Sequence, residues 1–247
     1  MVERFFSTTK QRYQIDVDQQ HDPSIMLLSG PPSCGKTSLL FQFAINIASQ
    51  NISSNAHYVV FITNQRKLEC KPPYLSQGID PSSDVLGRIQ MKYVEDDEGI
   101  KKYFASFHLH QNFPSAVIVD DFGDFFNEST CQERYGNQRG RDLAIVRTLA
   151  LCQNAITHAN ERLELELQFP CKLLLSDTQH GDTPRLLFIY KRWITSIFTI
   201  KGDGMGSFLL RNNTTSSSQG ESGGKEAAKY SIALQYLVLE DFLDEAE

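Results

Sequence analysis

Eight consecutive residues carry the clearest chemistry in this chain: Gly30-Pro31-Pro32-Ser33-Cys34-Gly35-Lys36-Thr37, a complete GxxxxGK[ST] string. In such a string the glycines let backbone amides converge on phosphate oxygens, and a helix starting at its end adds partial positive charge. Lys36 can reach the β and γ phosphates and Thr37 can ligate Mg²⁺, so ATP with Mg²⁺ is the expected cofactor. Its candidate contacts are Gly30, Pro31, Pro32, Ser33, Cys34, Gly35, Lys36, Thr37 and Ser38. The competing reading is a merely tight glycine-rich turn. A metal in such a site needs a second acidic group, normally at the end of a buried strand beside the loop. Asp120 fits, since it follows the apolar run Ala116-Val117-Ile118-Val119. Side chains alternate at a strand end, so only one of Asp120 and Asp121 is expected to face the phosphates, and Asp120 is the candidate.

The elements that must hold these residues can be read from spacing. Ile25-Met26-Leu27-Leu28 is a short apolar run ended by Ser29-Gly30-Pro31-Pro32, which is a buried strand entering a turn. Leu39, Leu40, Phe43, Ile47 and Ala48 recur at helical spacing, which starts a helix near Lys36. Further strands are predicted at 58–63, 88–94, 116–119 and 172–175. Between them come a short helix after Asp80-Pro81, a helix capped near Asp96 or Asp97, and a helix through Leu143, Val146 and Leu149. Strands alternating with helices predict an α/β fold with a mostly parallel central sheet and helices on both faces. The β-rich spans 194–200, 206–211 and 230–239 predict an antiparallel C-terminal extension. Residues 1–24 read as a flexible N-terminal arm, 25–240 as one domain, 212–224 as a mobile Ser/Gly-rich loop and 241–247 as an acidic tail.

The bulk numbers set limits. A chain of 247 residues suits one well-buried domain. Five cysteines without CxxC spacing argue against a disulfide framework or a zinc ribbon, and point to a reducing compartment. No apolar run approaches the roughly 20 residues that cross a bilayer, and the first residues lack signal-peptide character, so a soluble, intracellular protein without membrane contact is expected. The formal charge of -6 requires any nucleic-acid contact to come from a local cationic patch or a partner.

The element order and β-rich tail resemble the RecA-like recombinases and their paralogues. Several segments go further: the PPSCGKTSLLF run, the strand Val59-Val60-Phe61-Ile62-Thr63, the turn Ile79-Asp80-Pro81 leading to Leu86-Gly87-Arg88-Ile89-Gln90-Met91-Lys92-Tyr93, and Lys102-Tyr103-Phe104. Together these are similar to the SWIM-type zinc finger associated ATPase, a small recombinase paralogue of the Shu complex. The resemblance implies a RecA-like P-loop domain in a nuclear DNA-repair factor. Such a protein would bind ATP and single-stranded DNA, with ATP hydrolysis, slow and DNA-stimulated where Gln65 replaces an acid, as an open expectation. It would act in homologous recombination repair of double-strand breaks with a SWIM-domain zinc-finger protein, stabilising recombinase filaments. Where the family carries a catalytic glutamate after the second core strand, this chain has Gln65, an amide that orients water but accepts protons poorly. Glu69 lies nearby in what reads as a loop. Gln179, in Ser176-Asp177-Thr178-Gln179, resembles the family's polar sensor of the γ phosphate, the alternative being an ordinary turn residue. Lys36, Asp120, Gln65 and Gln179 are thus the candidate catalytic set.

The resemblance places the first DNA-contacting loop at 127–141, where Arg134, Tyr135, Arg139 and Arg141 could meet phosphates and stack on a base; the alternative is a solvated loop. The second, 180–185, contributes Arg185 and His180. Trp193 reads as half-buried core, His108 and His110 lack metal-site spacing, and 161–166 reads as a solvated helix end. Two other function classes stay open: a pseudo-ATPase used as an interaction scaffold, kept alive by Gln65, and a small-molecule P-loop kinase, which would want an arginine-rich lid.

Overall fold

Runs such as Ala116-Val117-Ile118-Val119 and Leu173-Leu174-Leu175 contain no polar alternation, so they need apolar cover on both faces. The computed structural model, which describes residues 1–7, 24–50, 58–80, 82–127, 129–165, 169–179, 185–194, 196–213 and 227–243, supplies that cover. In chain order the elements are β1 (Ile25–Gly30), α1 (Lys36–Ser49), β2 (Val59–Thr63), α2 (Gln65–Cys70), α3 (Asp84–Gly87), β3 (Ile89–Tyr93), α4 (Asp97–Ala105) and β4 (Ala116–Val119). They continue with α5 (Ser129–Tyr135), α6 (Gln138–Leu165), β5 (Lys172–Thr178), α7 (Arg185–Trp193), β6 (Ser196–Gly202), β7 (Ser207–Asn212), β8 (Ala227–Ala233) and β9 (Tyr236–Leu243).

These strands form one nine-stranded sheet in the order β3-β2-β4-β5-β1-β6-β7-β8-β9. Every neighbouring pair from β3 to β6 is parallel, and every pair from β6 to β9 is antiparallel. Pleating sends alternate residues to two separate cores. Leu27, Val117, Val119, Leu173 and Leu175 join α4, α6 and α7 on one side, while Met26, Leu28, Ile118 and Leu174 join α1 on the other. The fold is therefore α/β, with a mostly parallel central sheet covered on both faces and an antiparallel C-terminal extension.

Local caps fix the segments that aim the site. Asp96 caps α4 by accepting the Gly99 N–H at 3.2 Å, and Asn64 caps α2 by accepting the Lys67 N–H at 3.3 Å. Asn160 on α6 binds the Cys171 backbone twice, accepting its N–H at 2.8 Å and donating to its carbonyl at 3.2 Å, which sets the entry to β5.

Several expectations are corrected. The first seven residues are no loose arm: Val2, Phe5 and Phe6 are fully buried, Phe5 against Phe43 and Phe198, Phe6 against Tyr230 and Phe242. Asn46 on α1 donates to the carbonyls of Arg4 and Phe6, so the segment is both packed and hydrogen-bonded. β6 pairs in parallel with β1, so the antiparallel extension begins only at β7. The span 230–239 is two strands, because Leu234 and Gln235 both take positive φ (51° and 64°) and turn the chain without a glycine. β9 runs through Asp241 to Leu243, which removes the boundary drawn at 240. The Ser/Gly-rich tract from 214 to 226, the rest of the arm (8–23) and the tail (244–247) lie outside the described residues.

The proposed DNA loop at 127–141 is mostly helical. Gly136 ends α5 with φ of 62°, and Asn137 opens α6 by accepting the Gly140 N–H at 2.8 Å. Polar composition had hidden α5 and the first turn of α6, whose later turns through Leu143, Val146 and Leu149 were expected.

Candidate functional site

Because β1, β2, β4 and β5 run parallel, the backbone that follows each of them emerges at one end of the sheet. The loop 30–37 leaves β1 there, and α1 starts directly from it at Lys36. Two of its residues, Ser33 (φ 60°) and Gly35 (φ 82°), are left-handed, which coils the loop back over the end of its own strand. A side chain at Gly35 is opposed by its left-handed φ, and an added Cβ would also push aside the end of Ile232, 2.7 Å from its Cδ1. Gly30 is equally constrained, since a Cβ there would stand 2.8 Å from Ile200 Cβ and 2.9 Å from Cys34 Sγ. Burial raises the Cys34 thiol above its ordinary range, opposed by Lys36, so this sulfur is a neutral packing group.

Asp120 was expected at the end of a strand beside the loop. The structure instead puts β5 between β1 and β4, so Asp120 lies two strands away from the loop. It still reaches the loop, because Thr37 Oγ1 donates to Asp120 Oδ2 at 2.9 Å. The intervening strand takes part: Ser176 Oγ donates to Asp120 Oδ1 at 3.0 Å. Of the aspartate pair, Asp120 is the one turned to Thr37. Asp121, in the left-handed region at φ 49°, donates its N–H to Ser176 Oγ and accepts from Thr178 Oγ1 at 2.6 Å.

The electrostatics are lopsided. Burial, and then the neighbouring Asp121 carboxylate, push Asp120 up to about 6, while the Thr37 and Ser176 hydroxyls and Lys36 pull it down. Asp177, on β5, is pushed up to about 7 by burial and by Asp121 and Asp124. The Tyr190 hydroxyl is buried beside it without a partner in hydrogen-bonding geometry. Lys36 is buried and acts on both Asp120 and Asp177, and its Nζ donates to Pro31 O at 3.1 Å. This end of the sheet therefore concentrates carboxylates around a single buried ammonium. Among the described residues no group of three or more His, Cys, Asp or Glu is arranged to hold a metal ion. Thr37 Oγ1 and Asp120 Oδ2 are the oxygens that would be available to a Mg²⁺ ion, which takes one or two protein ligands and fills its sphere with water and phosphate.

The remaining candidates fall as follows. Gln179 is anchored behind the loop: its Nε2 donates to Ser29 Oγ at 2.7 Å and its N–H to Gly30 O at 2.9 Å. Gln65 is exposed at the start of α2 and donates to Glu69 Oε1 at 2.8 Å, so Glu69 belongs to a helix rather than a loop. Ser38 Oγ accepts the Tyr74 N–H, tying α1 to the segment after α2. Arg134 and Tyr135 turn inward: Arg134 binds Asp96 and Asp97, and Tyr135 OH contacts Asp97 at 3.2 Å and Lys101 Nζ at 2.5 Å. They are spent on α4. Arg139 is exposed in the first turn of α6, and Arg141 donates to Gln138 Oε1. Arg185 opens α7, whereas His180 lies outside the described residues.

Sequence reasoning missed Ser176, Thr178 and Tyr230. The two hydroxyls gave a weak signal in the alternating polar end of β5; Tyr230 gave none, because its role depends on a contact 196 residues away.

The chain matches no protein-family model and no curated protein.

Among the described residues no helix is long and apolar enough to cross a membrane.

Proposed function

We propose that this chain is an ATP-binding protein of the RecA-like P-loop class, holding the nucleotide's phosphates in the loop 30–37 with Mg²⁺ at Thr37 and Asp120. The observation that carries the reading is the 2.9 Å contact between Thr37 and Asp120, which brings a hydroxyl and a buried, undercompensated carboxylate to the mouth of a loop containing Lys36. A hydroxyl and a carboxylate set side by side are the two protein oxygens an Mg–phosphate complex requires. The resemblance described above extends the proposal to a nuclear recombinase paralogue that binds single-stranded DNA. It would act in homologous recombination with a SWIM-domain protein and recombinase filaments. Arg139, Arg141 and Arg185 are its remaining cationic contacts, now that Arg134 and Tyr135 are engaged with α4.

The test is ATP binding and turnover by the purified full chain, with and without single-stranded DNA, beside Lys36→Ala. Turnover that rises with DNA and vanishes in Lys36→Ala supports the reading, and a wild-type chain that binds no nucleotide overturns it. The partner is tested by co-expression with a SWIM-domain protein, where separate elution on gel filtration removes it from the proposal.

A second reading, a scaffold that binds nucleotide without hydrolysing it, is favoured by Gln65, whose amide is exposed and engaged with Glu69. Nucleotide binding with no turnover selects this reading. Gln65→Glu raising turnover about tenfold or more, the usual worth of a placed general base being larger still, would return the protein to the enzymes.

A further inference from the structure

Tyr230 lies on β8, in the C-terminal extension, and is fully buried. Its ring stacks on Phe208 with centroids 5.5 Å apart and meets Phe6 at 5.7 Å. Held there, its hydroxyl donates to the Cys34 carbonyl at 2.7 Å. Two residues along the same strand, Ile232 closes on Gly35.

That carbonyl belongs to the peptide between Cys34 and Gly35. The peptide is trans, as are all those described, so its C=O and N–H point in opposite directions. Fixing the Cys34 carbonyl toward β8 therefore turns the Gly35 N–H away from β8 and into the concave side of the loop. The left-handed φ of Gly35 leaves this peptide plane with few other restraints, because glycine rotates freely where other residues do not.

We infer that Tyr230 is a positioning residue for anion binding: its hydroxyl sets the Cys34–Gly35 peptide so that the loop presents an N–H to the β and γ phosphates. The inference rests on the nucleotide reading above and adds a residue from outside the motif. It also gives the antiparallel extension, and the buried Phe6 behind it, a part in the site.

The experiment measures dissociation constants of wild type, Tyr230→Phe and Phe6→Leu for ATP and for AMP with Mg²⁺, by calorimetry on the full chain, with melting temperatures taken without nucleotide. Tyr230→Phe keeps the ring packing and removes one hydrogen bond, so ATP is expected to bind about tenfold more weakly. AMP, which lacks the β and γ phosphates, is expected to change less than twofold. Phe6→Leu keeps the hydroxyl but loosens its ring and is expected to weaken ATP about threefold with the same selectivity. A role limited to stability lowers the melting temperature and leaves the ATP-to-AMP ratio unchanged; that ratio unchanged in both variants overturns the inference while nucleotide binding stands. A wild-type chain that binds neither nucleotide overturns both.

Discussion

Asp97 and Asp120 are both buried, 0% and 8% exposed, and burial pushes both carboxyls upward, yet they titrate in opposite directions. At Asp97 the Lys101 ammonium, 2.6 Å away, and the Arg134 guanidinium outweigh burial and hold the carboxyl below its ordinary range. At Asp120 two hydroxyls and a shared lysine do not, and the carboxyl stays high. The α4–α5 contact is electrically complete and behaves as structure. At the end of β4 Lys36 does not offset burial and the neighbouring carboxylate, a setting in which the Mg²⁺ proposed above would be stabilising.

Breaking the complete cluster should cost most. Asp97→Ala leaves two cations facing each other and is expected to lower the unfolding free energy by about 3 kcal/mol, read from the urea midpoint. Asp120→Asn should move the other way, raising the stability of the nucleotide-free chain at pH 8 by about 1–2 kcal/mol while ending Mg²⁺-dependent nucleotide binding. If both substitutions destabilise alike, the contrast between the two aspartates is false.

The same contrast predicts a pH profile. Asp120 and Asp177 have folded values of about 6 and 7, above the ordinary 3.8. On acidification from pH 8 to 5 the folded chain thus takes up protons that the unfolded chain does not, and stability should rise by about 4 kcal/mol. Asp97 has the opposite sign: its contribution is present above the ordinary carboxylate range and is lost as pH falls through its lowered value. A melting temperature that rises from pH 8 down towards the ordinary carboxylate value of about pH 4 is expected, and a monotonic fall from pH 8 to 5 contradicts the assignment. The smallest effect belongs to the exposed pair of Lys67 and Asp124, at 3.0 Å; Lys67→Ala should change stability by less than about 0.5 kcal/mol, and salt should erase the difference.

How far these features were legible follows from how local their causes are. The loop 30–37, its flanking strand and helix, and Asp120 at the end of an apolar run are written in contiguous residues, and sequence reading found them. The alternation of strands and helices was equally readable, because each element shows its own periodicity. The position of β5 between β1 and β4 was not, since strand order depends on pairings between distant segments. The helix at 129–135 and the start of the one at 138–165 were hidden by polar residues that face partners: Arg134 looks like a free cation until Asp97 is placed beside it. The packing of Phe5 and Phe6 was not readable in the arm because the groove that receives them is built by α1, β6, β8 and β9.

The neighbours of β1 also bear on how the protein is made. β1 has hydrogen-bonded partners only in β5 and β6, whose residues begin at 172 and 196. At about 5–20 residues per second a ribosome needs roughly 10–30 s to deliver them after β1 emerges. Through that interval Met26, Leu27 and Leu28 have no strand to pair with, although α1 can already pack on β2 and β4, and β8, which carries Tyr230, arrives later still. The nascent chain thus offers a long-lived apolar segment to chaperones, and the contacts of the loop 30–37 with β8 form only after residues 227–233 have been made.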